Sequence, residues 1–306
     1  MGVIKKLMQI NYLDDSYFFF LLISLLVNRY ITKWYFMQSA LNYKTPEGKN
    51  IVDTAVAMAD AAKEVILPHF RSKFLTFESK TVNGFDPVTE ADKSAEKAMI
   101  NVLKKLRPND AVFGEEFGEL EGKGLYRWIL DPIDGTRAFI AGTPTWGVLI
   151  SVERIGDGPI FGIIDQPYIG ERFFGGIGLS KSITRSGKNK LKTSSVEEIE
   201  DAILFSTFPE IGTEKERNAF MNVAKRTKLT RYGLDCYGYA LVAIGTADLV
   251  IEAGLSSYDI QAPICVIEAA GGIVTTWDGK PAFDGGRIVA ASNKKLHQKA
   301  LDYLNS

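Results

Sequence analysis

The sequence predicts a layered α/β or α+β architecture. Three observations carry this expectation. Two segments in the first half repeat apolar residues at helical spacing. From Trp128 onward, short apolar runs alternate with Gly and Pro, as strands and turns do. The second half alternates strand-like and helix-like segments, and elements mixed in this way bury their apolar faces in layers.

The first helix is expected over residues 51–70, where Val52, Val56, Ala59, Ile66 and Phe70 form a stripe. The second spans residues 89–106, with Ala91, Ala95, Met99, Val102 and Leu106 on one face. Thr89 suits its N-cap, and Arg107-Pro108 ends it. A polar stretch, residues 78–87, separates the two. Strands are expected at WIL (128–130), VLISV (148–152), IFGIID (160–165) and RFFG (172–175), with a tight turn at Gly156-Asp157-Gly158. Residues 175–189 are rich in Gly, Ser and Lys and read as a surface connection and a domain boundary.

Further on, strands are expected at 203–205, 247–251, 273–275 and 288–291. Helices are expected at 215–225, 238–244 and 260–270, with a closing helix from Lys294. The resulting division is an extension over residues 1–44, a first domain over 45–180 and a second over 181–306.

Composition narrows the function classes. With 306 residues, 46% of them hydrophobic and 24% charged, the chain has enough apolar material for a sizeable core, and a folded globular chain is expected. Lys plus Arg number 36 against 37 Asp plus Glu, so no global basic field exists to hold a nucleic-acid backbone. Cys236 and Cys265 are the only cysteines, too few for a disulfide framework or a cysteine-based metal site. That usage fits a reducing compartment, and a cytoplasmic location is expected. His69 and His297 lie outside every motif and read as surface or helix-end residues. Catalysis must then rest on carboxylates, hydroxyls, lysines or metal.

Residues 17–27 read YFFFLLISLLV, shorter than the roughly 20 apolar residues of a spanning helix. Asp14 and Asp15 sit badly for a secretory signal, and Met37 opens a second, ordinary start. The expectation is an upstream extension from a misassigned start, with a membrane anchor at 17–27 as the rival and no other membrane contact.

The most informative segment is WILDPIDGTRAF, from Trp128 to Phe139. A strand delivers Asp131, Pro132 fixes the backbone, and Asp134 follows three residues after Asp131. Two carboxylates leaving a strand into a rigid turn can converge on one ion, and the Ile133 carbonyl lies between them. Hard oxygen ligands suit Mg²⁺ better than zinc. Gly135-Thr136 looks like a helix start, whose N–H groups can hold a phosphate. The competing reading is structural: Asp-Pro and Asp-Gly are common turn dipeptides. Glu115 and Glu116 in FGEEFG (113–118) repel each other unless screened, by a cation or simply by solvent in an acidic loop. Asp92, in DPVTEAD, falls on the first turn of a helix, where an acidic residue also offsets the helix dipole.

Together, GEE at 114–116, DPIDGT at 131–136 and YDIQAP at 258–263 resemble the motif set of the inositol monophosphatase family, in order and spacing, over about residues 45–306. The resemblance implies an αβαβα layered sandwich, a homodimer, and Mg²⁺-dependent hydrolysis of a small-molecule phosphate monoester. It implies that Glu115, Asp131, Asp134, Asp259 and the Ile133 carbonyl ligate about two or three Mg²⁺ ions. It further implies that Gly135 and Thr136 contact the phosphate, and that Thr136 with Asp92 polarises the attacking water. Lys80 matches a lysine near the metal site, and Glu252 matches a position on the alcohol side. Tyr258 departs from the usual tryptophan before the downstream aspartate.

Arg137-Ala138-Phe139-Ile140, Pro144-Thr145-Trp146-Gly147 and the stretch 233–263 look more like the histidinol-phosphatase branch, which acts in histidine biosynthesis. Histidinol phosphate carries an amine and an imidazole. Asp235 and Glu252 are the expected partners of that cationic part, against a helix-capping role for Asp235. The alternatives are an inositol-1-monophosphatase or broad-specificity sugar monophosphatase, and a non-catalytic phosphate-binding protein.

Overall fold

In the computed structural model, which describes residues 41–79 and 87–306, the chain opens with a long helix, α1 (Pro46–Ile66). Thr45 caps it by accepting from the Gly48 N–H, and Pro46 fits the first turn, where an N–H has no helical partner. The helix starts and stops earlier than the apolar stripe suggests, and its buried face runs through Ile51, Ala55, Met58, Ala62 and Ile66, so that Ala59 and Ile66 of the expected stripe are buried while Val52 and Val56 are half-buried. A short antiparallel pair follows, β1 (Phe77–Ser79) with β2 (Pro87–Thr89). Helix α2 (Glu90–Leu106) then packs beside α1. Thr89 caps it as the sequence predicts, and Asp92 returns the bond to the Thr89 N–H, completing a capping box. Leu106, expected on the buried stripe, is the last residue of the helix and is 49% exposed.

Eight strands form the larger sheet: β3 (Ala111–Gly114), β4 (Gly118–Leu120), β5 (Tyr126–Asp134), β6 (Gly147–Arg154), β7 (Gly158–Gln166), β8 (Glu171–Gly176), β9 (Leu179–Thr184) and β10 (Gly187–Lys190). Their order is β10-β9-β8-β7-β6-β5-β3-β4, antiparallel throughout except for the parallel pair β3–β5. Residues 175–189 are therefore not a surface connection. They finish β8 and build the β9–β10 hairpin. Strand β10 is fully exposed at the sheet edge, and the Gly and Lys content that reads as loop is what an edge strand carries to discourage further pairing.

Helix α3 (Thr136–Ala141) lies between β5 and β6. The second sheet holds β11 (Ile203–Ser206), β12 (Leu229–Tyr232), β13 (Leu249–Leu255), β14 (Ile273–Thr276) and β15 (Gly286–Ala291), in the order β12-β11-β13-β15-β14. Its helices are α4 (Glu214–Ala224), α5 (Asp235–Ala243), α6 (Ser257–Ala270) and α7 (Lys294–Leu304).

The layers follow from the apolar faces. Helices α1 and α2 cover one face of the large sheet. Helices α5 and α6 fill the space between the sheets, where Leu149, Ile164 and Phe173 meet Tyr239, Val266, Val250 and Ile288. Helices α4 and α7 cover the far face of the second sheet through Phe220, Val223, Leu296 and Ala300. The order α, β, α, β, α is the sandwich that the resemblance implies. Tyr43–Ser306 form one compact unit.

His297 is a correction: it is buried within α7, with Nε2 2.8 Å from Thr275 Oγ1, and burial pushes its pKa down to about 4. Among the described residues, no helix is long and apolar enough to cross a membrane. Residues 17–27 lie outside the described residues.

Candidate active site

Strand β5 runs without a break through the DPID segment, where the sequence suggests a turn. Its pairing with β6 slips there: Asp131 faces Leu149 and Asp134 faces Gly147, so three steps on β5 match two on β6. In a regular strand, residues three apart point to opposite faces. The extra residue of the bulge brings Asp131 and Asp134 to the same face. Pro132 sits inside the bulge, where a missing N–H costs no ladder bond. The Ile133 N–H turns inward to donate to Asp131 Oδ1 at 3.0 Å.

Asp259 arrives from the other layer. It is in the first turn of α6, held by the Ser256 N–H, which donates to its Oδ2 at 2.6 Å. Carboxylate oxygens of Asp131, Asp134 and Asp259 lie within 4.8 Å of one another. Glu115 leaves the β3–β4 turn next to Asp131, close enough to raise its pKa. The structure thus brings together all four carboxylates expected at the site.

Beside them, the Thr136 hydroxyl lies 3.2 Å from the Ile133 carbonyl oxygen and 3.4 Å from Asp92 Oδ1. The other Asp92 oxygen accepts from both the N–H and the hydroxyl of Thr89, at 2.8 and 2.5 Å. Asp92 is fully buried, which an acidic residue serving only a helix dipole has no need to be. Lys80 lies outside the described residues.

The electrostatics of this cluster are adverse without a cation. Burial raises the Asp131 pKa well above normal, and Glu115, Asp134 and Asp259 raise it further. Asp134 is raised in the same way by burial, Asp235 and Asp259. Asp259 rises to about 7 and Asp92 to about 6, in each case chiefly through burial. None of Asp131, Asp134 and Asp259 forms an ion pair with a described Lys or Arg. A set of hard oxygen donors, close together and mutually repelling, fits a divalent cation such as Mg²⁺.

A cavity of about 300 Å³ opens from this cluster toward α5 and β13. Gly135 sits at its floor with φ 87°, and a Cβ there would stand 2.7 Å from Asp235 Cγ. Asp235 heads α5 with φ 48°, a left-handed conformation unusual for a residue with a side chain. It is the first residue of that helix rather than a loop residue capping it at Gly238. Burial lifts its carboxyl to about 7, with repulsion from Glu252 next. Glu252 is buried, accepts from the Thr207 N–H at 2.9 Å and from the Thr207 hydroxyl, and accepts from the Tyr239 hydroxyl at 2.7 Å. Its oxygens are largely engaged, so what it offers the cavity is charge.

Sequence reasoning misses four participants. The Cys236 N–H donates to Asp134 Oδ2, while its buried Sγ accepts from Gln166 Nε2 at 3.6 Å. Tyr239 and Thr207 fix Glu252 from elements far apart in sequence. Glu96 had a visible signal: it is four residues after Asp92 on the buried side of one helix.

The comparisons agree with this geometry. The family model described as the inositol monophosphatase family matches residues 48–306. The chain is 40% identical to a bifunctional phosphatase, IMPL2, chloroplastic, of Arabidopsis thaliana, over 81% of this chain and 73% of that one. It is 35% identical to a histidinol-phosphatase of Streptomyces coelicolor, over 82% and 95% of the two chains. A solved inositol monophosphatase from Zymomonas mobilis superposes with a TM-score of 0.73 and 35% identity, covering 84% of this chain and 98% of that chain. A match over nearly the whole described fold, joined to carboxylates that converge from three separate elements, leaves no other placement: the chain belongs to the inositol monophosphatase family and, with it, to the phosphoric monoester hydrolases.

Proposed function

We propose that this chain is a Mg²⁺-dependent histidinol-phosphatase that hydrolyses L-histidinol phosphate to L-histidinol and phosphate in histidine biosynthesis. One observation carries the choice of substrate. The cavity wall away from the metal-type carboxylates is itself acidic, with Asp235 and buried Glu252 facing the space that a leaving alcohol would fill. An imidazole or amine carries positive charge and relieves the strain on those carboxyls. The hydroxyls of inositol and sugars do not. Exposed Arg137 stands at the rim, 4.9 Å over the Phe208 ring, and only partly offsets the acidic wall.

In this reading Glu115, Asp131, Asp134, Asp259 and the Ile133 carbonyl hold the cations. Bound Mg²⁺ supplies Lewis-acid charge that makes water acidic and stabilises a leaving oxygen. The remaining work belongs to side chains and backbone. Gly135 and Thr136 hold the phosphoryl group in place. Thr136 and Asp92 orient the attacking water in line with the scissile bond, and Asp92 takes its proton. The raised pKa of Asp92 suits a base working near neutral pH. Residues 45–180 supply most cation ligands, while 181–306 supply Asp259 and the alcohol side. A homodimer and a cytoplasmic location belong to the same reading. Both cysteines are free, as a reducing compartment allows.

Phosphate release with Mg²⁺ tests the proposal. Histidinol phosphate is expected to give the highest kcat/KM in a panel with inositol 1-phosphate and glycerol 2-phosphate. Equal or faster turnover of inositol 1-phosphate would instead favour the inositol-1-monophosphatase alternative, which the equally similar Zymomonas enzyme keeps in play.

A further inference from the structure

We propose that Glu96 is the positioning residue for Glu115. It holds the turn that aims Glu115 at the cation site without touching that site itself. Glu96 is wholly buried in α2, one helical turn after Asp92. Its two oxygens each take a backbone donor from the turn: the Glu116 N–H at 2.8 Å and the Phe117 N–H at 3.0 Å. The preceding Glu115 N–H donates to the Leu130 carbonyl on β5 at 3.1 Å. Three successive N–H groups are thus fixed, two by one side chain and one by the strand that carries Asp131. The backbone at 115–117 is thereby held beside β5, with the Glu115 carboxyl close enough to Asp131 to raise its pKa.

Gly114 shows how closely the clamp is built. A Cβ at that position would stand 2.0 Å from Glu96 Oε1 and 2.3 Å from its carboxyl carbon. The first letter of the GEE motif is therefore glycine because the Glu96 carboxylate occupies that space. A carboxylate suits the role better than an amide. Each oxygen must accept, and Gln would turn an NH₂ group toward one of the two N–H donors. Partners that orient a ligand without binding the metal commonly set its affinity.

The inference rests on the divalent-cation reading above. Its test is Mn²⁺ binding, read by electron paramagnetic resonance, in the wild type and in Glu96→Gln and Gly114→Ala. Both variants are expected to bind Mn²⁺ about 10- to 100-fold more weakly. The double variant is expected to lose little more than either single one, because both break the same clamp. Excess Mg²⁺ is expected to restore most of kcat in Glu96→Gln, which a general loss of structure would not allow. Amide exchange on the metal-free wild type covers the case where a variant fails to fold. The Glu116 and Phe117 amides are expected to be protected without metal, and exchange at open-loop rates overturns the inference. Wild-type and variant affinities that agree overturn the clamp alone. Failure of the wild type to bind Mn²⁺ overturns the cation reading and the clamp with it.

Discussion

Asp131 and Asp134 share one face of β5 because the strand carries one residue more than β6 between them. The slip places two carboxylates where a regular strand would place one. Buried charges this close repel each other and need a countercharge. Asp131→Asn is expected to reduce phosphatase activity by at least about 100-fold, a barrier increase of about 2.7 kcal/mol. The same change is expected to raise the melting temperature of the metal-free protein, since it removes one member of the repelling set. Calorimetry in EDTA checks the second effect. A lower melting temperature there would mean that the cluster is not under electrostatic strain.

The pKa shifts set a pH dependence. Asp235 and Asp259 rise to about 7, mainly through burial. Each binds its proton more tightly in the folded chain than in the unfolded one, so each favours folding at low pH. That contribution is lost as pH climbs from the unfolded value of about 4 through the folded one. His297 works the other way, since its folded pKa of about 4 lies below the ordinary 6.5, but its effect is complete near pH 6.5. The clean window is pH 6.5 to 8. There the metal-free protein is expected to lose melting temperature, by about 2–4 °C for each kcal/mol. Saturating Mg²⁺ is expected to flatten the slope. A rise across that window without metal would contradict the assigned shifts.

Much of this is legible in the amino-acid sequence. The Thr89 cap, the central strands and the four carboxylates were visible because each depends on local pattern or on a short motif. What was hidden depends on long-range pairing. The bulge at Pro132 reads as a turn, because one extra residue shows only against β6. Strand β10 reads as loop because an edge strand is polar on both faces. His297 gave no sign of burial, since its environment is assembled by β14 from another part of the chain. The helical spacing puts Glu96 on the buried side with Asp92, but the turn it holds lies twenty residues away and shows only in the fold.

Thr136 separates catalysis from binding. Its hydroxyl lies between the Ile133 carbonyl and Asp92, but its removal deletes no carboxylate. Thr136→Ala is expected to lower kcat by about 10²-fold, the lower end of what a proton-transfer group contributes. Mn²⁺ affinity is expected to stay within about 3-fold, and Thr136→Ser is expected to recover most of kcat, because the hydroxyl returns. A large loss of metal affinity with kcat preserved would assign Thr136 to the metal site instead.

Asp235 decides the identity of the leaving alcohol. Asn is the natural probe, because it is isosteric and among the residues that best tolerate the left-handed φ of 48°. Asp235→Asn should therefore leave the floor at Gly135 undisturbed and remove only charge. A hydrogen bond to a charged group contributes about 1.5–3 kcal/mol, so kcat/KM for histidinol phosphate is expected to fall about 10- to 100-fold. The change for inositol 1-phosphate is expected to stay within about 3-fold, since an uncharged alcohol gains little from the carboxylate. The deficit should also appear mostly in KM, because the contact exists before the phosphoryl group moves. An equal fall for both substrates would remove Asp235 from specificity. It would also leave the acidic wall without the role on which the choice of substrate depends.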